Sequence, residues 1–312
     1  MIPTLTPPIT PPGPPLNPEQ AAYLEGWFSG LRNRGFSFGD LVPNPAAAPT
    51  AAPVPALEDL IPEERIKREL HPLDAYPLLL QHAAANQAPD KEQTFRFKWQ
   101  GLFFLSPNKE AFMARLRIPG GQLRSFQLRE LADVVDKLTT GYVQITTRAN
   151  LQIRLIAPKD APEVLRRIQS VGLHTRGSGA DNIRNLTCDP TSGVDPGELA
   201  ETLPIVHELG QYIINHREFY DLPRKFNVAV HGGGPIPTVE DTNDIGWRAV
   251  RVIAPGTTAV PAPRPGDVVT DAIPAGVYFR CALGGATGHK AFARDLGVLS
   301  ALYLPNDSAA FG

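Results

Sequence analysis

The sequence predicts an α+β fold in which helices cover one side of a small antiparallel sheet. Strand-like and helix-like segments alternate in the order β-β-α-β-β-α between Glu92 and Val171. Apolar side chains take every second position from Phe112 to Ile118, which indicates a strand with one buried face. Residues 126–138 instead place leucines and valines at helical spacing. Such an order suits a sheet with its helices on one face.

The remaining elements follow from the same two periodicities. The first unit is expected to contain strands 94–105, 111–118, 142–146 and 151–156 and helices 126–138 and 160–171, with Ser125 as an N-cap and short helices within 63–92. Beyond it we expect a loop at 174–196, a helix at 197–216, strands at 225–231, from Trp247 and at 276–283, and a helix at 289–296. The expected domains are 1–62, 63–172 and 173–312, the last incomplete at its C-terminus.

The amino-terminal segment differs from the rest in composition. Residues 1–62 hold fourteen of the 33 prolines. Such a stretch cannot form a regular ladder of hydrogen bonds, so we expect it to be largely disordered. One short helix is expected near 18–34, with Asn17 as its N-cap and Pro18 in its first turn.

The overall composition excludes several classes of protein. The formal net charge is −2, whereas a general nucleic-acid-binding protein normally carries a basic excess. Two cysteines far apart in the chain give no disulfide framework, which fits a reducing cytoplasm. The first residues lack the regions of a secretory signal, and no apolar run reaches the roughly 18 residues of a membrane helix. We therefore expect a cytoplasmic protein with no nucleic-acid or membrane partner.

Cationic side chains recur in four segments, F-M-A-R-L-R-I-P-G-G, T-T-R-A-N-L-Q-I-R, D-N-I-R-N-L-T-C and P-R-K-F-N-V-A-V. In the first, Arg115 and Arg117 alternate with the apolar positions, and in the last Lys225 and Asn227 do so. The charges therefore share the polar side of a half-buried sheet. Placing several cations in one cleft costs free energy unless an anion pairs with them, so the pattern predicts a strongly anionic ligand.

These four motifs, in this order, resemble the siroheme-containing nitrite and sulfite reductases, assimilatory enzymes of nitrogen and sulfur metabolism that take electrons from ferredoxin. The resemblance extends from about Phe97 to about Gly297. It implies a ferredoxin-like half-domain followed by part of a siroheme-binding domain. It also implies nitrite or sulfite as substrate, ferredoxin as electron donor, and siroheme and a [4Fe–4S] cluster as cofactors.

The resemblance also assigns roles to the cations. The residues implied to face the substrate anion are Arg115, Arg184 and Lys225, with Asn227 beside them. The residues assigned to siroheme are Arg148 and Gln152, together with Arg117, Arg154 and Arg224 on the same segments. A solvated surface position is an equal alternative for Arg117 and Arg154. Siroheme carries eight carboxylates, so the implied cofactor agrees with the anionic ligand that the cationic side chains predict.

Asn227 is the position that separates the two substrates. Family members that prefer sulfite tend to carry a second lysine here, two residues after the first, and nitrite enzymes tend to carry Asn. One fewer positive charge suits a monoanion better than a dianion, which favours nitrite over sulfite. The alternative is that Asn227 only forms hydrogen bonds within the sheet.

The cysteine content departs from the family. Four thiolates usually hold a [4Fe–4S] cluster, whereas Cys188 and Cys281 are the two cysteines of this chain. Buried structural positions are the simpler interpretation of both. The tail after Gly297 does not resemble the family's continuation. We therefore expect the amino-terminal half of a reductase, either truncated or completed by a second polypeptide.

Three functions remain for comparison. The first is six-electron reduction of nitrite, less readily of sulfite, with this chain supplying substrate-binding cations and part of the siroheme cradle. The second is a non-catalytic fragment that at most binds a tetrapyrrole. The third is a nucleic-acid module, which would need aromatic residues on the basic strand faces, and the sequence places none there.

Overall fold

The computed structural model describes residues 56–105, 110–222, 224–256, 266–269, 271, 274–283 and 302–305. Within them it contains two sheets, each with an apolar core of its own. The predicted helices near 18–34 and 289–296 lie outside the described residues, and so does the proline-rich segment up to residue 55. None of the helices in the described ranges has the length and apolar character needed to cross a lipid bilayer.

The first unit is an antiparallel sheet covered by helices. Its elements are α1 (Pro62–Glu69), α2 (Tyr76–Ala85), α3 (Lys91–Arg96), β1 (Leu102–Leu105), β2 (Ala111–Arg115), α4 (Ser125–Leu138), β3 (Val143–Thr146), β4 (Asn150–Ile156) and α5 (Ala161–Ser170). The strands pair in the order β1-β2-β4-β3. α4 and α5 contribute Leu131, Val135 and Ile168 to a core shared with the strands. The predicted α+β class is therefore confirmed.

Two local expectations in this unit are wrong. The segment before β1 is helical, because α3 continues into a 3-10 turn at Phe97–Gln100. Of the strand predicted at 94–105, only the last four residues form a strand. Asp90 stabilises the start of α3 by accepting a hydrogen bond from the Gln93 N–H at 2.8 Å. Ser125 is the first residue of α4 rather than its N-cap, which is Arg124.

A bulge in β4 decides which side chains of this strand face the core. The register between β2 and β4 shifts between Phe112 and Ala114. Leu155 has a φ of 59°, in the left-handed region. As a result Ile153 and Ile156 are both fully buried, although their spacing is three residues rather than two. A strict alternation would have placed Leu155 in the core.

The second unit is a mixed sheet packed against one long helix. Its elements are β5 (Thr187–Cys188), α6 (Leu203–Asn215), β6 (Val228–His231), β7 (Ile245–Ile253), β8 (Val268–Val269), β9 (Gly276–Leu283) and β10 (Leu302–Pro305). The order is β10-β9-β7-β6-β5, with β8 beside β7. α6 begins later than the predicted residue 197, because the N–H groups of Leu199 and Ala200 bond the Gly232 carbonyl at 2.7 and 3.2 Å instead.

A buried hydrogen bond joins the two units. The indole N–H of Trp99, which is fully buried, donates to the Tyr220 carbonyl at 2.7 Å. Lys67 on α1 adds a contact to the same segment, with its Nζ 2.8 Å from the Asp221 carboxylate. The residues that follow α6 are thereby anchored on the first unit, and this fixes where the chain enters β6.

We expect Trp99→Phe to lower the free energy of unfolding by about 1–3 kcal/mol, because the Tyr220 carbonyl then lacks its buried donor. Urea denaturation followed by circular dichroism measures the change without depending on tryptophan emission. Trp247→Phe is the matched control, since Trp247 is only half-buried. Equal losses in the two variants would contradict the role of the hydrogen bond.

Candidate functional site

The polar face of the first sheet carries a row of long side chains. Arg115 on β2 lies opposite Gln152 on β4, and Gln152 lies opposite Gln144 on β3. Arg154 lies two residues beyond Gln152, and its guanidinium donates to the Gln152 Oε1 at 3.3 Å and also to Gln144. The structure therefore brings together three of the predicted site residues, Arg115, Gln152 and Arg154, on the face away from the core.

Arg115 and Arg184 meet at a single main-chain carbonyl. Arg184 Nη1 lies 2.8 Å from the Ser178 oxygen, and Arg115 Nη1 makes a longer contact of 3.5 Å with the same oxygen. Burial lowers the pKa of Arg184 to about 10, and the charge of Arg115 lowers it in the same direction. Burial and the charge of Arg154 likewise lower the pKa of Arg115. Both groups stay protonated at neutral pH, so two positive charges share one neutral acceptor.

The loop from Gly177 to Asn185 holds this carbonyl in place. The Ser178 hydroxyl donates to the Arg115 carbonyl at 2.8 Å. Gly179 packs so closely that an added Cβ would lie 2.4 Å from the Phe103 ring and 2.7 Å from the Lys98 carbonyl oxygen. The Phe103 ring in turn lies 4.6 Å from the Arg115 guanidinium carbon, close enough for a cation–π contact. A side chain at residue 179 would therefore displace the Phe103 ring, and with it the contact of that ring with Arg115.

Arg117 has a different environment from Arg115. Its side chain is 2% exposed, and it donates to the Gly177 carbonyl at 3.2 Å and to the Arg184 carbonyl at 3.3 Å. Burial lowers the pKa of Arg117 to about 10. The solvated alternative is therefore wrong for Arg117. Its contacts position the loop that carries Arg184, while its assignment to the cofactor stays a prediction.

Arg148 lies in the turn between β3 and β4, at the junction of the two sheets. Its Nε and Nη2 donate to the Asn185 carbonyl at 3.2 and 2.7 Å, and Nη2 also reaches the Val228 carbonyl at 3.1 Å. Its Nη1 donates to the Asn243 Oδ1 at 2.8 Å. Burial lowers the pKa of Arg148 to about 10, and the nearby Asp244 carboxylate opposes that shift.

Asn185 completes this junction from the other side. Its side-chain amide donates to the Ile118 carbonyl at 2.7 Å and to the Arg148 carbonyl at 2.9 Å. The side chain is 3% exposed, and within the described residues its Oδ1 has no hydrogen-bond partner. A buried oxygen without a donor is unusual and indicates a contact that this part of the chain does not itself supply.

The segment 224–227 is only partly as predicted. Lys225 is exposed, whereas Asn227 is 6% exposed and its main-chain N–H donates to the Asp244 Oδ2 at 2.8 Å. Arg224 is exposed and pairs with the same carboxylate. Because β6 begins at Val228, the two-residue alternation does not govern Lys225 and Asn227. That Lys225 and Asn227 face one substrate stays a prediction.

The arginines of the site differ in their partners from other half-buried cations such as Arg167. Arg167 on α5 pairs with Glu130 at 2.6 Å and also with Asp133. Across the described residues, no carboxylate forms an ion pair with the four site arginines, which are Arg115, Arg148, Arg154 and Arg184. Partly buried positive charges that no carboxylate pairs with directly fit an anionic ligand.

The thiols do not fit an iron–sulfur cluster. Cys188 on β5 and Cys281 on β9 are buried and free, with two strands between them in the sheet. Burial raises the pKa of the Cys188 thiol to about 11 and also raises that of Cys281, so both stay protonated at neutral pH. In the described ranges, no group of three or more His, Cys, Asp or Glu side chains could hold a metal ion.

Sequence reasoning missed the groups that hold the cations. They are the Ser178 carbonyl, the Asn243 side chain and the Asp244 carboxylate. A main-chain carbonyl leaves no mark in a sequence. Asn243 and Asp244 are visible in the sequence as a polar pair directly before an apolar strand. Their partners could not be predicted, because those partners lie elsewhere in the chain.

Two models of one protein family match most of the described chain. The Nitrite/Sulfite reductase ferredoxin-like half domain matches residues 105–171, and the Nitrite and sulphite reductase 4Fe-4S domain matches residues 179–307. Among solved structures, the Mycobacterium tuberculosis NirA protein aligns with a TM-score of 0.57 at 25% identity, over 72% of this chain and 41% of that one.

Curated relatives give the same result over a similar stretch. The ferredoxin–nitrite reductase of Leptolyngbya laminosa is 38% identical over 201 residues, which are 62% of this chain and 39% of that protein. The chloroplastic ferredoxin–nitrite reductase of Arabidopsis thaliana is 33% identical over 60% of this chain and 34% of that protein. The chain therefore spans well under half the length of these relatives.

We expect uroporphyrin, a porphyrin with eight carboxylates, to raise the melting temperature of the chain, because a ligand that binds only the folded state stabilises it. Arg184→Gln should lose most of this rise without lowering the melting temperature of the free protein, since it removes a charge that repels Arg115. Arg167→Gln is the control: it should lower the melting temperature of the free protein and keep the rise. Equal rises in all three proteins would contradict the site.

Proposed function

Because the chain belongs to the nitrite and sulfite reductase family, we propose that it forms the substrate-binding and siroheme-binding part of a ferredoxin-dependent nitrite reductase. The observation that carries the proposal is the set of site arginines, which are partly buried and have no carboxylate partners in the described residues. We also infer the domain organisation: residues 63–172 form the ferredoxin-like half-domain, and residues 173–312 contribute to the region that binds the cofactor and the substrate.

The proposed reaction converts nitrite, eight protons and six electrons into ammonium and two waters. Ferredoxin would deliver the electrons one at a time, and siroheme, when bound, would supply the iron at which nitrite is reduced. The role of Arg115 and Arg184 is to hold the anion and to offset the negative charge that it gains. Their positions do not need to change during the reaction, because the Ser178 carbonyl already holds both guanidinium groups.

The residues assigned to siroheme would bind its carboxylates. Arg154 and Gln152 lie beside Arg115 on the same face of the sheet, so they extend the cationic surface away from the substrate. Arg148 makes four hydrogen bonds to protein groups, which leaves one of its five N–H groups for a ligand. Arg224 is exposed and would bind at the edge, and Arg117 would act only through the loop at 177–185.

Nitrite is the preferred substrate in this proposal. Asn227 supplies no charge where sulfite-preferring relatives tend to have lysine, and a monoanion needs less positive charge than a dianion. The relatives from Leptolyngbya laminosa and Arabidopsis thaliana are both named as nitrite reductases. Sulfite is the less favoured alternative.

The cluster requires residues that this chain does not contain. With two protonated, separated thiols, the four-cysteine ligand set has to come from another polypeptide or from a longer form of the protein. A chain of these 312 residues on its own would be a tetrapyrrole-binding fragment, which is the second candidate. Cytoplasmic residence is part of the proposal, since free thiols persist in a reducing compartment, although the Arabidopsis relative is named as chloroplastic.

We expect Arg184→Ala or Lys225→Ala to reduce the rate of nitrite reduction by roughly 100-fold in an enzyme that includes the cluster-binding part, because each removes a positive charge that would stabilise the reacting anion. The measurement is steady-state turnover with reduced ferredoxin, with siroheme content checked by absorbance. Lys159→Ala, another exposed lysine, is the control. Unchanged kinetics in both variants would refute the assignment.

We expect Asn227→Lys to raise sulfite reduction relative to nitrite reduction in the same enzyme. The added charge attracts a dianion more strongly than a monoanion, because Coulomb energy scales with the product of the charges. The measured quantity is the ratio of the two kcat/KM values at matched ionic strength. Asn227→Gln controls for the larger side chain. A ratio that stays constant or moves towards nitrite would show that Asn227 does not face the substrate.

A further inference from the structure

Two adjacent polar residues, Asn243 and Asp244, lie buried directly before β7. They are 4% and 7% exposed. Neither belongs to the motifs that assign the site. Both nevertheless contact residues that the proposed function uses, from two different parts of the chain, so their role extends beyond the turn in which they lie.

The side chain of Asn243 is held in one orientation. Its Nδ2 donates to the Val239 carbonyl at 3.2 Å, which leaves the Oδ1 to face Arg148 Nη1 at 2.8 Å. Val239 has a φ of 57°, and this left-handed residue turns the chain back so that its carbonyl reaches the Asn243 amide. Among the described residues, Asn243 is the one whose side chain accepts a hydrogen bond from the Arg148 guanidinium, and the other acceptors are main-chain carbonyls.

The carboxylate of Asp244 binds the neighbouring segment. Its Oδ2 accepts the main-chain N–H of Asn227 at 2.8 Å, and its Oδ1 pairs with Arg224. The next residue, Ile245, donates its N–H to the Asn227 carbonyl at 3.0 Å, so the main-chain N–H and the main-chain carbonyl of Asn227 are both bound. The negative charge also favours the protonated state of Arg148, against the effect of burial on its pKa.

We propose that Asn243 and Asp244 are positioning residues of the cationic site, which hold the Arg148 guanidinium and the 224–227 segment in a fixed relation to each other. This inference rests on the proposed function for its purpose, because it assumes that both groups serve the same bound anion. A purely structural role would need only the main-chain bonds of the turn and the pairing of β6 with β7. It would not require a side-chain oxygen aimed at a guanidinium from another sheet.

The first test measures the reactivity of Arg148 in the full 312-residue chain without any ligand. Phenylglyoxal modifies arginines, and peptide mass spectrometry gives the rate at each site. Asn243→Ala should raise the modification rate of Arg148 several-fold and leave that of Arg184 unchanged. Asp244→Asn should also raise the rate at Arg148, because the charge that favours the protonated guanidinium is gone. Asn215→Ala, at an exposed asparagine at the end of α6, is the matched control.

The second test links the two residues to ligand binding through a double-mutant cycle. Uroporphyrin is the probe, and its dissociation constant is measured by absorbance at fixed ionic strength. Asn243→Ala should weaken binding about tenfold, equivalent to ~1.4 kcal/mol. If Asn243 acts through Arg148, the same substitution in an Arg148→Ala background should change the constant less than about twofold. Full additivity of the two losses would overturn the inference, even if Asn243→Ala alone weakened binding.

The two tests separate this inference from the proposed function. Unchanged reactivity of Arg148 in both Asn243→Ala and Asp244→Asn would overturn the positioning role, whatever the chain binds. Wild-type protein that fails to bind uroporphyrin would instead count against the siroheme cradle, and the reactivity of Arg148 would still decide the positioning role. A higher rate at Arg148, Arg184 and the control arginines alike would indicate general unfolding and would also contradict the inference.

Discussion

The guanidinium of Arg148 donates hydrogen bonds to main-chain carbonyls of Asn185 and Val228, which belong to the second unit, while its own backbone lies in the β3–β4 turn of the first. This interaction sets the distance between the two sheets at the point where the cations gather. In the opposite direction, the side-chain amide of Asn185 donates a hydrogen bond to the Arg148 carbonyl. Because each residue binds the main chain of the other, a shift of one sheet against the other would break several partly buried hydrogen bonds.

Carbonyl groups, rather than carboxylates, hold the charges of the site. A carbonyl satisfies the N–H groups of a guanidinium without neutralising its positive charge, so Arg115 and Arg184 still attract an anion. Burial lowers the pKa of Arg184 to about 10, which shows that its charged form is held against an unfavourable environment. A bound polyanion would relieve that strain.

The loop at 177–185 depends on small and polar residues, which carry no charge themselves but lie close to the site arginines. Gly179 admits the Phe103 ring, and the Ser178 hydroxyl holds the Arg115 carbonyl. Arg117 lies beneath this loop and binds its main chain through two carbonyls. Arg117 of the R-x-R motif thus supports this loop, whereas Arg115 lies on the polar face of the sheet.

The sequence by itself determined the α+β class, the order of the elements and the motifs that carry the family resemblance, because periodicity and motif spacing are encoded within a few neighbouring residues. It could not show that 94–100 is helical, since alternating apolar residues also fit a turn packed on a core. Only the tertiary structure placed Arg115 and Arg184 at one carbonyl, buried Arg117 and revealed Asn243 and Asp244. Most of these contacts join residues that are 17 or more positions apart in the chain, and no local pattern encodes them.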